Sequence, residues 1–193
     1  MKKLGILALF VFGFGQAQKL ELGFKLGYVN STLKFSEQGM SETFDAKSSV
    51  YISAPLEYHI NPYLSLQGEF GMAGLGGENL IINGQNSRLH LTSLYFPLGV
   101  KFYPIKEKLS LLSGVNLGFT TRALGKQNGE DVEFSNFKKA NHSYFLGAEY
   151  KITKVFFAEA RYNIGLSNLV RESGQTMKNN FFQIGVGYNF ASQ

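Results

Sequence analysis

Histidine is the residue of this sequence best suited to acid–base chemistry, and it occurs only three times, at His59, His90 and His142. Ser143 follows His142 directly, and two hydroxyl side chains follow His90 within three residues. A hydroxyl activated by a histidine is the arrangement found in many hydrolases and acyltransferases. Adjacent residues of a β-strand point to opposite faces, so His142 and Ser143 cannot form such a pair by themselves in a strand. We therefore expect no catalytic residue, with a pair assembled across strands as the alternative.

Other reactive sites are equally sparse. The chain lacks cysteine, which excludes a disulfide scaffold, a thiolate metal site, a cysteine nucleophile and a lipid anchor on an amino-terminal cysteine. No group of histidines and carboxylates has the sequence spacing of a metal site, and no glycine-rich phosphate loop occurs. We therefore expect neither a bound metal nor a cofactor.

Charged residues offer a different kind of site, because several of them alternate with apolar residues along the chain. This alternation turns them toward one face of a sheet. If that face lines a narrow barrel, the charges must pair, since an unpaired ion is costly to remove from water. We predict an interior network in which one arginine and one lysine face three carboxylates. The alternative is that water satisfies each charge separately. The five residues are Glu57, Glu69, Lys101, Glu159 and Arg161.

The composition favours glycine-rich β-structure. Hydrophobic residues make up 44% of the 193 residues and charged residues only 17%, against about 25% in soluble domains. This apolar content excludes intrinsic disorder. After the amino terminus, no stretch approaches the roughly 18 consecutive apolar residues that indicate a membrane helix, so a helical membrane protein is excluded as well.

The amino terminus has the three parts of a secretory signal peptide. Lys2 and Lys3 form the basic part, residues 4–15 the uncharged part, and Gly15-Gln16-Ala17 the small-residue cleavage site. We predict a signal peptide over residues 1–17 and a single domain over residues 18–193. Cleavage leaves 17 of the 19 lysines and arginines against 14 acids, so the net charge falls from +5 to +3. The remaining cations are dispersed, which excludes nucleic acid as a partner.

Eight later segments alternate apolar and polar residues, which is the pattern of strands with two different faces. An even number of such strands fits an antiparallel barrel that closes on itself and leaves no free edge. The polar positions are mostly small residues, as the crowded interior of an eight-stranded barrel requires. The segments are residues 20–28, 50–60, 64–72, 94–102, 109–119, 144–152, 156–166 and 182–190.

Short and long connections alternate between these segments. The short ones are turns at Asn61-Pro62, at residues 104–108 and at Thr153-Lys154. Outer-membrane barrels have short periplasmic turns and longer outside loops. This order therefore places both termini in the periplasm, in agreement with the export signal. The longer connections are residues 31–47, 76–88, 122–141 and 167–179.

The apolar side of the alternation could face lipid, or it could face the interior of a soluble barrel of the lipocalin type. The apolar positions carry essentially no charge, and the strands reach the 9–11 residues needed to cross a bilayer. We therefore predict that the apolar side faces lipid. Pro55 and Pro97 fall inside predicted strands on the polar side, where we expect bulges or kinks, with a misplaced strand boundary as the alternative.

Several of these segments carry a recurrent mixture of glycine, aromatic and polar residues: residues 22–27, 63–69, 94–102, 112–118 and, most distinctively, 160–168. These stretches resemble the outer-membrane β-barrel family of the Bacteroidetes, often called the PorT-like family. The resemblance covers nearly all of the mature chain and implies an eight-stranded barrel placed in the outer membrane by the barrel-insertion machinery. Many such barrels end on an aromatic residue, whereas here three residues follow Phe190.

We expect an integral outer-membrane barrel without catalysis, whose outer loops contact a ligand, a surface or a protein partner. Outer-membrane lipid and lipopolysaccharide would surround it, and a protein partner could be extracellular or periplasmic. Two alternatives remain. The first is a small pore or a protein-export accessory, and the second is an enzyme that modifies lipid A with His90 or His142.

Overall fold

The computed structural model describes residues 20–82, 85–127, 130–133, 138–171 and 174–190, and the predicted signal peptide lies outside them. Within these ranges there is no helix that is long and apolar enough to cross a membrane. The described residues form ten β-strands: β1 (Leu20–Glu37), β2 (Met40–Thr43), β3 (Asp45–Asn61), β4 (Leu64–Ile82), β5 (Gln85–Ile105), β6 (Leu109–Gln127), β7 (Glu130–Glu133), β8 (Ser143–Lys151), β9 (Phe156–Gly165) and β10 (Gln175–Asn189).

Eight of these strands form a closed ring. Its order is β1, β3, β4, β5, β6, β8, β9 and β10, and all neighbouring strands are antiparallel. The ring closes where β10 pairs with β1, from Asn189 opposite Gly23 to Gln175 opposite Glu37. The short strands β2 and β7 pair with the far ends of β1 and β6, on the edges that β3 and β8 occupy lower down. The prediction of an eight-stranded antiparallel up-and-down barrel is confirmed.

The apolar side of the alternation faces outward, as predicted. Phe70 and Leu98 are 52% and 51% exposed, although residues of these types are usually buried in soluble proteins. The outward apolar residues form a continuous belt around the ring. This belt, here called the apolar band, comprises the outward-facing apolar residues within 20–28 of β1, 50–60 of β3, 64–72 of β4, 94–102 of β5, 109–119 of β6, 144–152 on and after β8, 156–166 on and after β9, and 182–190 on and after β10.

Beyond the apolar band the strands continue, and their two faces exchange character. In β1, Asn30, Thr32 and Lys34 face outward, whereas Val29 and Leu33 are completely buried in the interior. The residues expected to form the longer loops are therefore largely strand over 31–47 and 76–88. A polar outer face made these segments resemble loops, but their inner face is apolar, as in a soluble barrel. We call this extension the head and the opposite end the turn end.

The head has its own apolar core. Leu169, which follows β9 outside any strand, is fully buried there, and its backbone N–H donates to the carbonyl of Met177 at 2.8 Å. The carbonyl of Leu169 accepts from Lys138 at 2.8 Å. The segment after β9 thus covers the barrel interior at the head. The core consists of Val29, Leu33, Tyr51, Ala73, Leu75, Leu89, Leu91, Tyr95, Ala123, Leu169, Met177 and Phe181.

The two prolines inside strands do not produce bulges. Pro55 pairs with Glu69 and Pro97 with Asn116 in unbroken register. On its other side each proline interrupts the pairing, between β1 and β3 for Pro55 and between β4 and β5 for Pro97, but the register is the same before and after the gap. Each proline therefore removes ladder bonds from one neighbour without inserting a residue.

Candidate functional site

Two cations and two carboxylates from three strands, β1, β4 and β9, form a closed cycle of ion pairs in the barrel interior. Lys25 Nζ lies 3.0 Å from Glu69 Oε2 and 2.8 Å from Glu159 Oε1. Arg161 Nη2 lies 3.1 Å from Glu69 Oε2 and 3.0 Å from Glu159 Oε2. The guanidinium also stacks over the ring of Phe145, 4.5 Å from its centroid. Each charge in this central cluster has two partners of opposite sign.

A second cluster lies on the interior face nearer the turn end. Lys101 Nζ is 2.7 Å from carboxylate oxygens of both Glu57 and Glu149. The hydroxyls of Ser65 and Tyr103 donate to the other oxygen of Glu57. All five side chains are buried, and the single cation is shared by two carboxylates, of which Glu57 is stabilised further by the two hydroxyl hydrogen bonds.

The strand register creates like-charge pairs that these cations neutralise. Glu149 of β8 lies directly opposite Glu159 of β9, and Glu57 of β3 lies opposite Glu21 of β1. Like charges directly opposite each other destabilise a sheet. Lys101 therefore compensates a repulsion that the register imposes, and the central cluster does the same for Glu159.

The structure places all five residues of the predicted network in the barrel interior, but it divides them between the two clusters. Arg161, Glu69 and Glu159 belong to the central cluster, whereas Lys101 and Glu57 belong to the cluster near the turn end. Two members were missed, Lys25 and Glu149. Both lie at polar positions of the alternation, which was the signal available for them.

Aromatic side chains fill most of the remaining interior. Tyr51, Tyr95, Phe145 and Phe157 all point inward and are buried. Glycines make room for them, because a Cβ added at Gly187 would overlap the ring of Phe157. Comparable overlaps would occur at Gly71 against Tyr95 and at Gly99 and Gly114 against Phe145. The interior is thus occupied by charges and rings, with the apolar core of the head above them.

The turn end opens into a cavity of about 630 Å³. On its wall, Lys151 Nζ lies 3.2 Å from Glu21 Oε2, and His59 Nε2 lies 3.3 Å from Glu21 Oε1. One ligand atom each of Glu21, Glu57 and His59 lies within 4.8 Å of the others, a separation that a metal ion could bridge. However, Lys151 and Lys101 already neutralise the two carboxylates, so this group is balanced without an ion.

Of the histidines considered for catalysis, His142 is separated from Ser143 by the barrel wall. Ser143 is fully buried and donates weakly to Asn163 Oδ1 at 3.5 Å, whereas His142 faces outward against the ring of Phe119. His90 lies on the outer face of the head. Burial, together with the positive charges of Lys47 and Arg122, lowers the pKa of His90 below its ordinary value.

Comparisons with known proteins agree with this architecture. The family described as "Outer membrane protein beta-barrel domain" matches residues 4–190. The crystal structure of Ail, the attachment invasion locus protein of Yersinia pestis, in complex with the heparin analogue sucrose octasulfate is 20% identical. The match covers 89% of this chain and 99% of that one, with a TM-score of 0.55.

A second crystal structure of Yersinia pestis Ail is 21% identical over 89% of this chain and 99% of that one, with a TM-score of 0.53. Neisserial surface protein A is 15% identical over 86% of this chain and 97% of that one, with a TM-score of 0.49. At these identities the Ail structures support the fold alone. Among functionally curated proteins, no match to this sequence was found.

Proposed function

The chain belongs to the outer membrane protein beta-barrel family, and from this premise we propose that it is a closed, non-catalytic barrel whose head contacts a ligand, a surface or a protein partner. The head is the observation that carries this proposal. A strand of 9–11 residues is enough to span a bilayer. Spanning therefore requires neither the extension of the strands beyond the apolar band nor the separate apolar core of that extension. β1, β4, β5 and β6 each have 18 or more residues.

The filled interior supports the absence of a pore. The central cluster, the inward aromatic rings and the core of the head follow one another along the barrel axis. We expect the purified protein to give no large, stable conductance steps in planar lipid bilayers. Such steps, of similar size in independent preparations, would favour the pore or export-accessory alternative and overturn this part of the proposal.

The positions of the histidines support the absence of catalysis. His142 and Ser143 lie on opposite faces of the barrel wall. Mass spectrometry of lipid A from cells with and without the protein should therefore show the same species. A change in lipid A mass that disappears in His142→Ala or His90→Ala would establish the enzyme alternative instead.

The contact role can be tested at the tip of the head. Met40 in β2 is 75% exposed and lies on the hairpin that continues β1. We expect a photo-crosslinking residue at Met40 to give discrete adducts on intact cells. The same residue at Leu98 in the apolar band is the matched control, because it should give only lipid adducts. Equal patterns at both positions would contradict a contact role for the head.

We further propose that the turn end faces the periplasm and that the protein belongs to the Bacteroidetes, PorT-like part of the family. The two ends of the barrel domain lie at the turn end, which suits an exported chain whose termini stay in the periplasm. A protease site inserted at Gly39, a turn position with open space around it, should be cut on intact cells. A site inserted after Pro62 should be protected.

A further inference from the structure

Two lysines on the outer face of the head have no counterion among the described residues. Lys34 of β1 lies directly opposite Lys178 of β10, at the seam where the ring closes. Both side chains are exposed, and neither forms an ion pair with any residue that the structure describes. Two lysines directly opposite each other repel, so this pair costs stability unless an anion lies between them.

The described acidic residues of β1 and β2 do not fill this role. Glu37 faces the inner side of β1 and accepts a hydrogen bond from Gln175 at 3.0 Å. Glu42 lies opposite Phe35 and therefore shares the inner face with it, whereas Thr43 is the residue opposite Lys34. The repulsion across the seam is thus not relieved by these neighbours on β1 and β2.

A second cationic group lies on the opposite flank of the ring, across β5 and β6. Arg122 of β6 is opposite Thr92, and Arg88 of β5 is opposite Lys126 in the backbone register. Arg88 is 67% exposed, and its Nε forms only a long, exposed ion pair with Glu78 Oε2 at 3.9 Å. The lowered pKa of His90, caused by burial and then by Lys47 and Arg122, agrees with an excess of positive charge at this place.

The outward direction of all four cations and the height of the seam indicate the class of anion. Lys34, Lys178, Arg88 and Arg122 occupy the same outward rows that face lipid lower down, so they point sideways. Lys34 lies six residues beyond Tyr28, which is about 20 Å along the strand and about 15 Å above the apolar band at a tilt near 40°. A phospholipid headgroup layer is only about 5–8 Å thick, whereas a glycolipid carries phosphates and acidic sugars farther out.

We propose that the Lys34–Lys178 seam and the Arg88–Arg122 flank bind the phosphorylated headgroups of lipopolysaccharide molecules surrounding the barrel in the outer leaflet. The charge-assisted contacts would lie above the apolar band while acyl chains cover the band itself. This inference depends on the outer-membrane location and not on the proposed contact role of the head, so either can fail without the other.

The most discriminating test compares how the removal of one seam lysine changes stability in two kinds of bilayer. In phospholipid bilayers without lipopolysaccharide, Lys34→Gln removes a repulsion and should raise the midpoint of urea unfolding. In bilayers containing a lipopolysaccharide that keeps its phosphorylated core, the same substitution removes a counterion contact and should lower the midpoint relative to wild type. A shift of the same sign in both bilayers would overturn the proposal.

Direct binding provides the second measurement. We expect a lipopolysaccharide that keeps its phosphorylated core to bind the Lys34→Gln/Lys178→Gln variant about fivefold more weakly than wild type, and the Arg88→Gln/Arg122→Gln variant similarly. Lys106→Gln/Lys108→Gln is the matched control, because both lysines are exposed at the turn end; it should bind as wild type does. The difference should shrink with added salt.

Two further binding measurements distinguish an anion carried by lipopolysaccharide from an anionic ligand in solution. Enzymatically dephosphorylated lipopolysaccharide should lose most of the advantage that wild type has over the variants. A soluble heparin fragment should not distinguish the variants from wild type. If the variants lose heparin but keep lipopolysaccharide, the cations serve a ligand in solution and the proposal is wrong.

Discussion

Replacing Arg161 by methionine isolates the energetic role of the central cluster. Arg161 is 2% exposed, and its Nη2 lies 3.0 and 3.1 Å from Glu159 and Glu69. The substitution leaves two buried carboxylates with Lys25 as their one remaining cation in the cluster. It also removes the stacking of the guanidinium over Phe145. Methionine fills a similar space, so the loss is mainly electrostatic.

Removing one partner of a buried ion pair costs about 3–5 kcal/mol, and we expect a loss of unfolding free energy in that range. With a urea m value of about 2 kcal/mol per molar, the midpoint of unfolding falls by about 2 M. The assay is equilibrium unfolding in phospholipid vesicles, followed by the difference in gel mobility between folded and unfolded barrel.

Two variants give this experiment its controls. Arg88→Met removes an exposed arginine whose carboxylate partner is 3.9 Å away, and it should cost at most about 1 kcal/mol. Arg161→Met/Glu159→Gln leaves Lys25 with Glu69 alone, restores the charge balance and should recover most of the loss. If Arg161→Met costs no more than Arg88→Met, or if the double variant is no more stable than the single one, water rather than pairing satisfies these charges.

Three further predictions follow from the packing, the apolar band and the charge of the head. Gly187→Val forces a side chain into the ring of Phe157 and should cost about 1–3 kcal/mol, whereas Gly68→Ala, with 3.6 Å to Leu98, should be nearly neutral in the same unfolding assay. Leu98→Arg in the middle of the apolar band should cost about 2–4 kcal/mol and Ile105→Arg beside the turn only about 0–1 kcal/mol, measured in vesicles; equal costs would contradict the placement of the band. Burial and the neighbouring cations lower the pKa of folded His90. Its protonation therefore opposes folding, and wild type should lose more stability than His90→Gln as pH falls through about 6.5, the value of an unperturbed histidine.

The sequence predicted the spanning part of the barrel well because a bilayer imposes one simple rule on every strand. Outward positions must be apolar, and the period of two then fixes the opposite face. Leu22, Leu26, Phe70 and Leu98 were assigned to the outside on this ground, and all of them are exposed. The same rule fails above the bilayer, because there the outward face must be polar.

That change of rule explains why the sequence pattern of the head predicts loops. Leu89 and Leu91 are buried while their outward neighbours Arg88 and His90 are polar. The alternation is still present in this segment, but its phase is reversed relative to Leu94 and Phe96. Following the phase as well as the period along each strand would have identified both the extension and the upper edge of the apolar band.

The partners within the interior network could be predicted only in part. Alternation assigns a residue to a face, but not to a height along the axis, which depends on strand tilt and register. Lys25 and Glu69 are on strands separated by β3, and their contact at 3.0 Å requires a stagger that no local pattern encodes. For the same reason Arg161 and Lys101 were placed in one network, although the structure gives them different carboxylates.

The reversal of phase also determines how the molecule sits in its membrane. Below the edge, apolar side chains such as Tyr28 and Phe182 must stay in lipid, and above it the same outward rows continue as Asn30, Thr32 and Lys34. Moving the barrel inward by two residues would bury polar side chains, and moving it outward would expose apolar ones to water, so both displacements are unfavourable. Because that height is fixed, so is the distance of the seam lysines from the acyl chains. The change in stability caused by removing Lys34 should therefore have opposite signs in the two bilayers. Unfolding measured in both can thus show whether Lys34 and Lys178 bind an anion.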